Sequence, residues 1–131
     1  MPELTDAQRE VIGSTPVVAL STVGPKGTPQ TTAAWFVLDD DGLVKLSLSE
    51  SRQKLKNLKR NPGASLLFVN PQNPFQTVEI RGNATIAPDD AGTVLDKVNA
   101  KYNANVRDFD QPGEVRYAVT FQPEKVLTFG F

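Results

Sequence analysis

Short β-forming segments separated by turn residues recur along almost the whole chain, and they constrain its fold more than any other feature. The clearest segment spans residues 43–49, where apolar and polar positions alternate strictly: Val44, Leu46 and Leu48 against Lys45, Ser47 and Ser49. A period of two predicts a strand with one face in a core and one polar face. Because sequential strands joined by turns pair with their neighbours, the pattern predicts an antiparallel sheet closed into a small barrel.

Seven segments are predicted to be strands: residues 15–23, 29–38, 43–49, 64–70, 76–86, 115–121 and 126–131. Three are predicted to be helical: residues 5–12, a basic stretch that follows Ser49 and ends near Asn61, and residues 88–103. Residues 108–113 are predicted to form a mobile loop. With 131 residues, we expect one domain over residues 1–131, mainly β with short flanking helices.

The composition excludes several kinds of site. The chain has no cysteine and no histidine, which removes disulfides, thiolate or histidine metal sites, and Ser-His or Cys-His catalytic pairs. No clustered acidic motif predicts a metal site. The net charge of -1 gives no basic footprint for nucleic acid. Since the sequence shows neither a signal peptide nor a membrane-spanning apolar run, we expect a cytoplasmic protein without a membrane partner.

The strongest functional signal lies in residues 47–58. A strand end lined by serine hydroxyls runs into a helix whose first turn carries Arg52 and Lys54. Helix stability alone favours acids there, because a helix N-terminus already carries partial positive charge. Free N–H groups, hydroxyls and two cations together predict an anion site, with phosphate as the expected ligand. On a helical wheel, Leu55 and Leu58 form the buried stripe of this helix. The remaining cations of the helix are interpreted as a solvated face: Lys56, Lys59 and Arg60.

Other stretches have both a functional and an ordinary interpretation. The small and polar residues 28–33 suit close approach of a flat ring, but they also fit the start of a strand. Trp35 is either a core residue or the wall of a ring pocket. Residues 73–76 read as a turn. Glu79 and Arg81 share one strand face, as an exposed ion pair or as a contact to a partner subunit.

Taken together, these residues resemble the FMN-binding split-barrel superfamily that includes pyridoxamine 5′-phosphate oxidase, and within it the branch of coenzyme F-420-dependent oxidoreductases. The resemblance runs from about Val17 to Ile86 and also fits residues 123–126. Its motifs are Gly27-Thr28-Pro29-Gln30, residues 51–62, Ser65-Leu66-Leu67, Asn73-Pro74-Phe75 and Val78-Glu79-Ile80-Arg81-Gly82. It implies a six-stranded antiparallel split β-barrel and a homodimer with two cofactor sites at the subunit interface.

The resemblance also implies a site. Arg52 and Lys54 are expected to hold the cofactor phosphate, while residues 30–33 and 47–49 border the ring. The predicted cofactor-binding residues are Gln30, Thr31, Thr32, Ala33, Ser47, Ser49, Ser51, Arg52, Lys54, Asn57, Phe75 and Gln76. The expected cofactor is coenzyme F-420, with FMN as the alternative. No residue receives a catalytic role, because the cofactor carries the redox chemistry.

The function implied is an oxidoreductase that transfers a hydride from reduced F-420 to a small conjugated or electron-poor acceptor. Two alternatives stay open: an FMN-dependent oxidase or reductase like pyridoxamine-phosphate oxidase, and a non-catalytic flavin- or deazaflavin-binding protein. A barrel of this size leaves a ring site open on one side, whereas pockets usually bury most of a ligand. A two-fold dimer supplies the missing wall twice. The expected contributors are the loop at residues 73–76 and the strand face of Thr77, Glu79 and Arg81.

Overall fold

The computed structural model describes residues 2–131, which form one antiparallel sheet flanked by helices. The strands are β1 (Val18–Val23), β2 (Pro29–Ala34), β3 (Val37–Leu38), β4 (Val44–Ser49), β5 (Gly63–Val69), β6 (Thr77–Pro88) and β7 (Arg116–Phe129). The helices are α1 (Asp6–Ser14), α2 (Gln53–Arg60) and α3 (Thr93–Tyr102), followed by a 3₁₀ turn at Val106–Phe109. The mainly β class with short flanking helices is confirmed.

The sheet curls because its two edges are neighbours in sequence. The strand order is β2-β1-β5-β6-β7-β4-β3, so β2 and β3 are the edges, and only Trp35 and Phe36 lie between them along the chain. A link of two residues brings the edges together, and the result is the expected open barrel. Six of its strands have six or more residues, as the resemblance implied, and the two-residue β3 is additional.

Strand β3 exists because the strand predicted at residues 29–38 is interrupted. The Phe36 N–H donates to the Tyr102 hydroxyl at 3.1 Å, and the Trp35 ring stacks on the Tyr102 ring with centroids 4.4 Å apart. Contact with α3 therefore replaces ladder pairing at these two residues. Within residues 2–131, no helix has both the length and the apolar character needed to span a bilayer.

The two closing strands predicted at residues 115–121 and 126–131 are one continuous strand, β7. Pro123 lies opposite Gly82 of β6, and the pairing register shifts between Arg81 and Gly82. A Cβ atom at Gly82 would overlap the Gln122 carbonyl oxygen. The bulge and Gly82 thus allow β7 to continue through Pro123. The sequence pattern predicted that the strand breaks at this proline.

Helix α1 is capped by Thr5, which forms a full capping box with Gln8. The helix predicted from residue 88 begins instead at Thr93, because β6 continues to Pro88 and the Asp89 carboxylate caps α3. That carboxylate accepts three backbone N–H groups at 2.9–3.1 Å: those of Thr93, Val94 and Leu95.

The core is divided into two clusters. The larger one fills the barrel, and Leu55 and Leu58 of α2 are fully buried in it, as their helical spacing predicted. The smaller one lies beneath α3 and comprises Val37, Val94, Leu95, Val98 and Val106. Helix α3 and the 3₁₀ turn thus share a cluster that is separate from the barrel interior and that also includes Val37 of β3.

Candidate functional site

A cavity of about 290 Å³ opens where β2, β4 and α2 meet. Residues 104–115, hereafter the cover segment, close part of it through Val106 and Phe109. Five residues predicted from the sequence line this β4–α2 cavity: Ala33, Ser47, Ser49, Arg52 and Lys54. The strand and helix that the sequence singled out therefore do meet at a concave surface.

The start of α2 lacks the cap that the other helices have. Thr5 caps α1 and Asp89 caps α3, whereas the N-cap of α2 is Arg52, whose side chain makes no capping hydrogen bond. Arg52 has extended φ and ψ of -70° and 133°. The first N–H groups of a helix have no acceptor within the helix, so this end favours an external anion.

Arg52 and Lys54 carry charge that the chain does not neutralise. No ion pair within residues 2–131 includes either side chain. Lys54 is half-buried, and its Nζ donates to Thr32 Oγ1 at 3.3 Å. Burial, and secondarily the Arg52 charge, lower the pKa of Lys54. Both effects penalise the ammonium form, and a bound anion would relieve both.

Ser47 presents a buried hydroxyl to the same cavity. The residue is 9% exposed, and its Oγ is the one buried side-chain polar atom in residues 2–131 without a hydrogen-bond partner. Leaving such a group unpaired costs about 1–3 kcal/mol. The polar face predicted for β4 is therefore covered rather than solvated, and at Ser47 it keeps an unused donor and acceptor.

Ser49 and Ser51 interact with a residue that the sequence did not indicate. Ser49 Oγ donates to Glu114 Oε2 at 2.9 Å and lies 3.1 Å from Ser51 Oγ. Hydrogen bonds from Ser51 and Ser49 hold the pKa of the Glu114 carboxyl below its usual range. Since 65 positions separate Ser49 from Glu114, no local pattern could have signalled this contact.

The cover segment is fastened by a buried ion pair. Arg116 is 5% exposed, and its guanidinium makes a bidentate pair with Asp110 at 2.6 and 2.8 Å. The same guanidinium donates to the backbone carbonyls of Ser47 and Val106, each at 3.0 Å. The first residues of the loop predicted at 108–113 therefore have defined contacts: the 3₁₀ turn extends to Phe109, and Asp110 pairs with Arg116 of β7.

Aromatic side chains form an apolar wall of the cavity. Trp35 and Phe109 line it, and the Trp35 ring lies at 5° to the Tyr102 ring against which it stacks. Trp35 is 36% exposed, so its interpretation as a core residue is wrong and its interpretation as a pocket wall fits. Phe109, 68% exposed, was not identified from the sequence.

Other predicted site residues support the cavity from outside. Asn57 is fully buried and donates to Gln30 Oε1 at 2.7 Å and to Thr22 Oγ1 at 3.0 Å, which holds α2 against β1 and β2. Thr31 pairs with Ser21 at 2.7 Å on the outer face of the sheet. Thr32 reaches the site through its contact with Lys54.

Phe75 and Gln76 do not line the cavity of their own chain. Phe75 is 74% exposed, and Gln76 Oε1 accepts from Asn70 Nδ2 at 2.7 Å beside α1. Their assignment to the cofactor site stays a prediction about a site built from two chains. Glu79 and Arg81 pair within the chain at 2.9 Å.

Comparisons with known proteins show the family and the fold of this chain. A family model described as pyridoxamine 5′-phosphate oxidase matches residues 4–129. A solved structure described as an F420 reductase superposes with a TM-score of 0.80 at 28% identity, covering 95% of this chain and 98% of its own.

Two further structures share the fold alone. A conserved hypothetical protein of Mycobacterium tuberculosis has a TM-score of 0.79 at 23% identity, covering 96% of this chain and 84% of its own. A heme storage protein of Vibrio cholerae has a TM-score of 0.77 at 17% identity, with coverages of 99% and 97%.

Proposed function

Because this chain belongs to the pyridoxamine 5′-phosphate oxidase family, we propose that its β4–α2 cavity binds the phosphorylated tricyclic cofactor of a flavin or deazaflavin oxidoreductase. One observation carries the proposal: two cations without a carboxylate partner and an unpaired buried hydroxyl meet beside an uncapped helix start. This donor set suits a phosphate joined to a polar-edged ring. Coenzyme F-420 is our leading cofactor, supported by the likeness to the structure described as an F420 reductase.

The residues divide the work of binding. Arg52 and Lys54 would hold the phosphate through charge-assisted hydrogen bonds, and the Ser47 hydroxyl would meet a polar ring edge. Ala33, Trp35 and Phe109 would exclude water from the apolar faces of the ring. When bound in reduced form, the deazaflavin supplies a hydride to a small conjugated or electron-poor acceptor. We assign no catalytic residue to the chain itself.

We further propose a homodimer that completes each site. The cavity of about 290 Å³ lies at the lower limit of ligand pockets, roughly 300–1,000 Å³, so one chain encloses only part of such a cofactor. The outer face of the sheet supports a partner, because Val17, Leu67 and Val69 line an apolar groove of about 430 Å³. Each of these side chains is 38–39% exposed.

Titration with each cofactor tests the proposed function. We expect purified protein to bind F-420 more tightly than FMN, with fluorescence as the readout. Reduced F-420 should then be consumed in the presence of quinones, enones or nitro compounds. Tight FMN binding without F-420 binding would establish the FMN alternative. F-420 binding without turnover across this panel would establish a non-catalytic binding protein.

The phosphate site has its own test. We expect Arg52→Ala and Lys54→Ala to weaken cofactor binding by about ten- to a hundredfold, the effect of one charge-assisted hydrogen bond. Lys56→Ala is the matched control, because Lys56 is exposed on the same helix, whereas Lys59 lies 4.0 Å over the Tyr117 ring. Equal losses at all three positions would mean that α2 supplies only a diffuse positive field.

A further inference from the structure

A carboxylate accepts a hydrogen bond from one hydroxyl group of the proposed phosphate site. Ser49 lines the cavity beside Arg52, and its single hydroxyl proton is donated to Glu114 Oε2 at 2.9 Å. Ser51 is the next hydroxyl in this chain of contacts, 3.1 Å from Ser49. While Glu114 holds this position, Ser49 has no proton left to donate to an anionic ligand.

The charges around the cavity leave a specific balance. Arg116 is neutralised by its bidentate pair with Asp110. Arg107, half exposed, reaches the Glu114 backbone carbonyl rather than its carboxylate. Arg52 and Lys54 form no ion pair within residues 2–131. The Glu114 carboxylate, which accepts from Ser49, therefore offsets part of a positive charge that a ligand would otherwise balance.

We propose that Glu114 determines specificity by making this site prefer a monoanionic phosphodiester over a dianionic phosphomonoester. This inference rests on the proposed function. The phosphate of F-420 is a diester with one negative charge, whereas that of FMN is a monoester whose second proton dissociates near pH 6, so FMN is mostly dianionic at neutral pH. At the phosphate group itself, repulsion by Glu114 therefore acts more strongly on FMN than on F-420. The Ser49 hydroxyl already donates to Glu114, so it cannot donate to the additional negative charge of the FMN phosphate.

The test is Glu114→Gln, which removes the charge and retains an oxygen that accepts from Ser49. We measure dissociation constants for F-420, FMN and riboflavin by fluorescence titration, at one pH near 7.5. The preference for F-420 over FMN should fall about fivefold, as expected for one unit charge at a partly solvated site. Riboflavin, which has no phosphate, should bind the variant and the native protein equally.

Asp108→Asn is the matched control, since Asp108 is an exposed acid of the same cover segment. It should leave the preference unchanged. A preference that Glu114→Gln does not alter, or that Asp108→Asn alters equally, would overturn the assignment while leaving the proposed function intact. If Glu114→Gln raised the affinity for riboflavin as much as the affinity for FMN, the assignment would also be overturned, because Glu114 would then act through the shape of the cavity. Failure of both phosphorylated cofactors to bind either protein would overturn the proposed function and this inference together.

Discussion

At the scale of single residues, Ser47 is the position where the requirements of folding stability and of ligand binding differ most clearly. Its hydroxyl is buried without a partner, although nearly all buried polar groups in folded proteins are hydrogen-bonded. Folding alone gains nothing from this group, so selection for stability would favour alanine. A ligand that forms the missing hydrogen bond with Ser47 would explain why serine is found at this position.

We predict that Ser47→Ala leaves the free energy of unfolding unchanged or raises it by about 1 kcal/mol, since it removes an unsatisfied buried group. Cofactor affinity should fall by about tenfold, the value of one hydrogen bond at the upper end of the usual range. Chemical denaturation and fluorescence titration measure the two effects.

The control is Thr85→Ala, because the Thr85 hydroxyl donates to the Thr120 carbonyl at 3.1 Å and Thr85 lines neither the cavity nor the apolar groove. That change should lower stability and spare binding. If Ser47→Ala instead lost stability and bound cofactor normally, its hydroxyl would have a structural role.

At the scale of elements, the parts of the site that are local in sequence were predictable. The alternation in β4, the buried stripe of α2 and the cations at its start all lie within residues 44–58, so periodicity and helix electrostatics sufficed. The covering parts were not predictable, because Phe109, Glu114 and Arg116 reach the cavity only through tertiary packing. The predicted break in β7 failed for a related reason, because the Gly82 bulge depends on a partner strand distant in sequence. The start of α3 is different: its Asp89 cap is local, and the sequence analysis did not recognise it.

The ion pair that fastens the cover segment gives an element-scale prediction. Asp110→Ala should lower the free energy of unfolding by about 3–5 kcal/mol, because it leaves the Arg116 guanidinium buried without a partner. The double variant with Arg116→Met should recover most of that loss. Urea denaturation of Asp110→Ala, of Arg116→Met and of the double variant provides the double-mutant cycle. Additive losses would show that the pair does not act as a unit.

At the scale of the whole molecule, the proposed dimer makes oligomeric state and cofactor binding inseparable. Light scattering at micromolar concentration should show two chains, with about two cofactors per dimer. We predict that Leu67→Lys, which places a charge in the apolar groove, yields monomers and weakens cofactor binding by at least about tenfold.

Ala87→Lys adds the same charge at an exposed position of β6 outside that groove and should change neither property. Monomeric Leu67→Lys protein that binds cofactor with undiminished affinity would refute the two-chain site.

The attachment of the cover segment has a consequence for how such a protein can diversify. Strands β6 and β7 pair up to Pro88 and Tyr117, and the Asp89 N–H donates to the Arg116 carbonyl at 2.9 Å, so the chain leaves the barrel and returns at almost one point. The buried apolar residues between these points lie in the smaller core cluster, together with Val37 of β3. An insertion with adjoining ends can be exchanged as a cassette when its contacts with the barrel, such as that of Tyr102 with Phe36, are retained. Grafting this stretch between related barrels should therefore transfer the preference for acceptor and for phosphate charge. The phosphate contacts made by Arg52 and Lys54 would remain those of the recipient barrel.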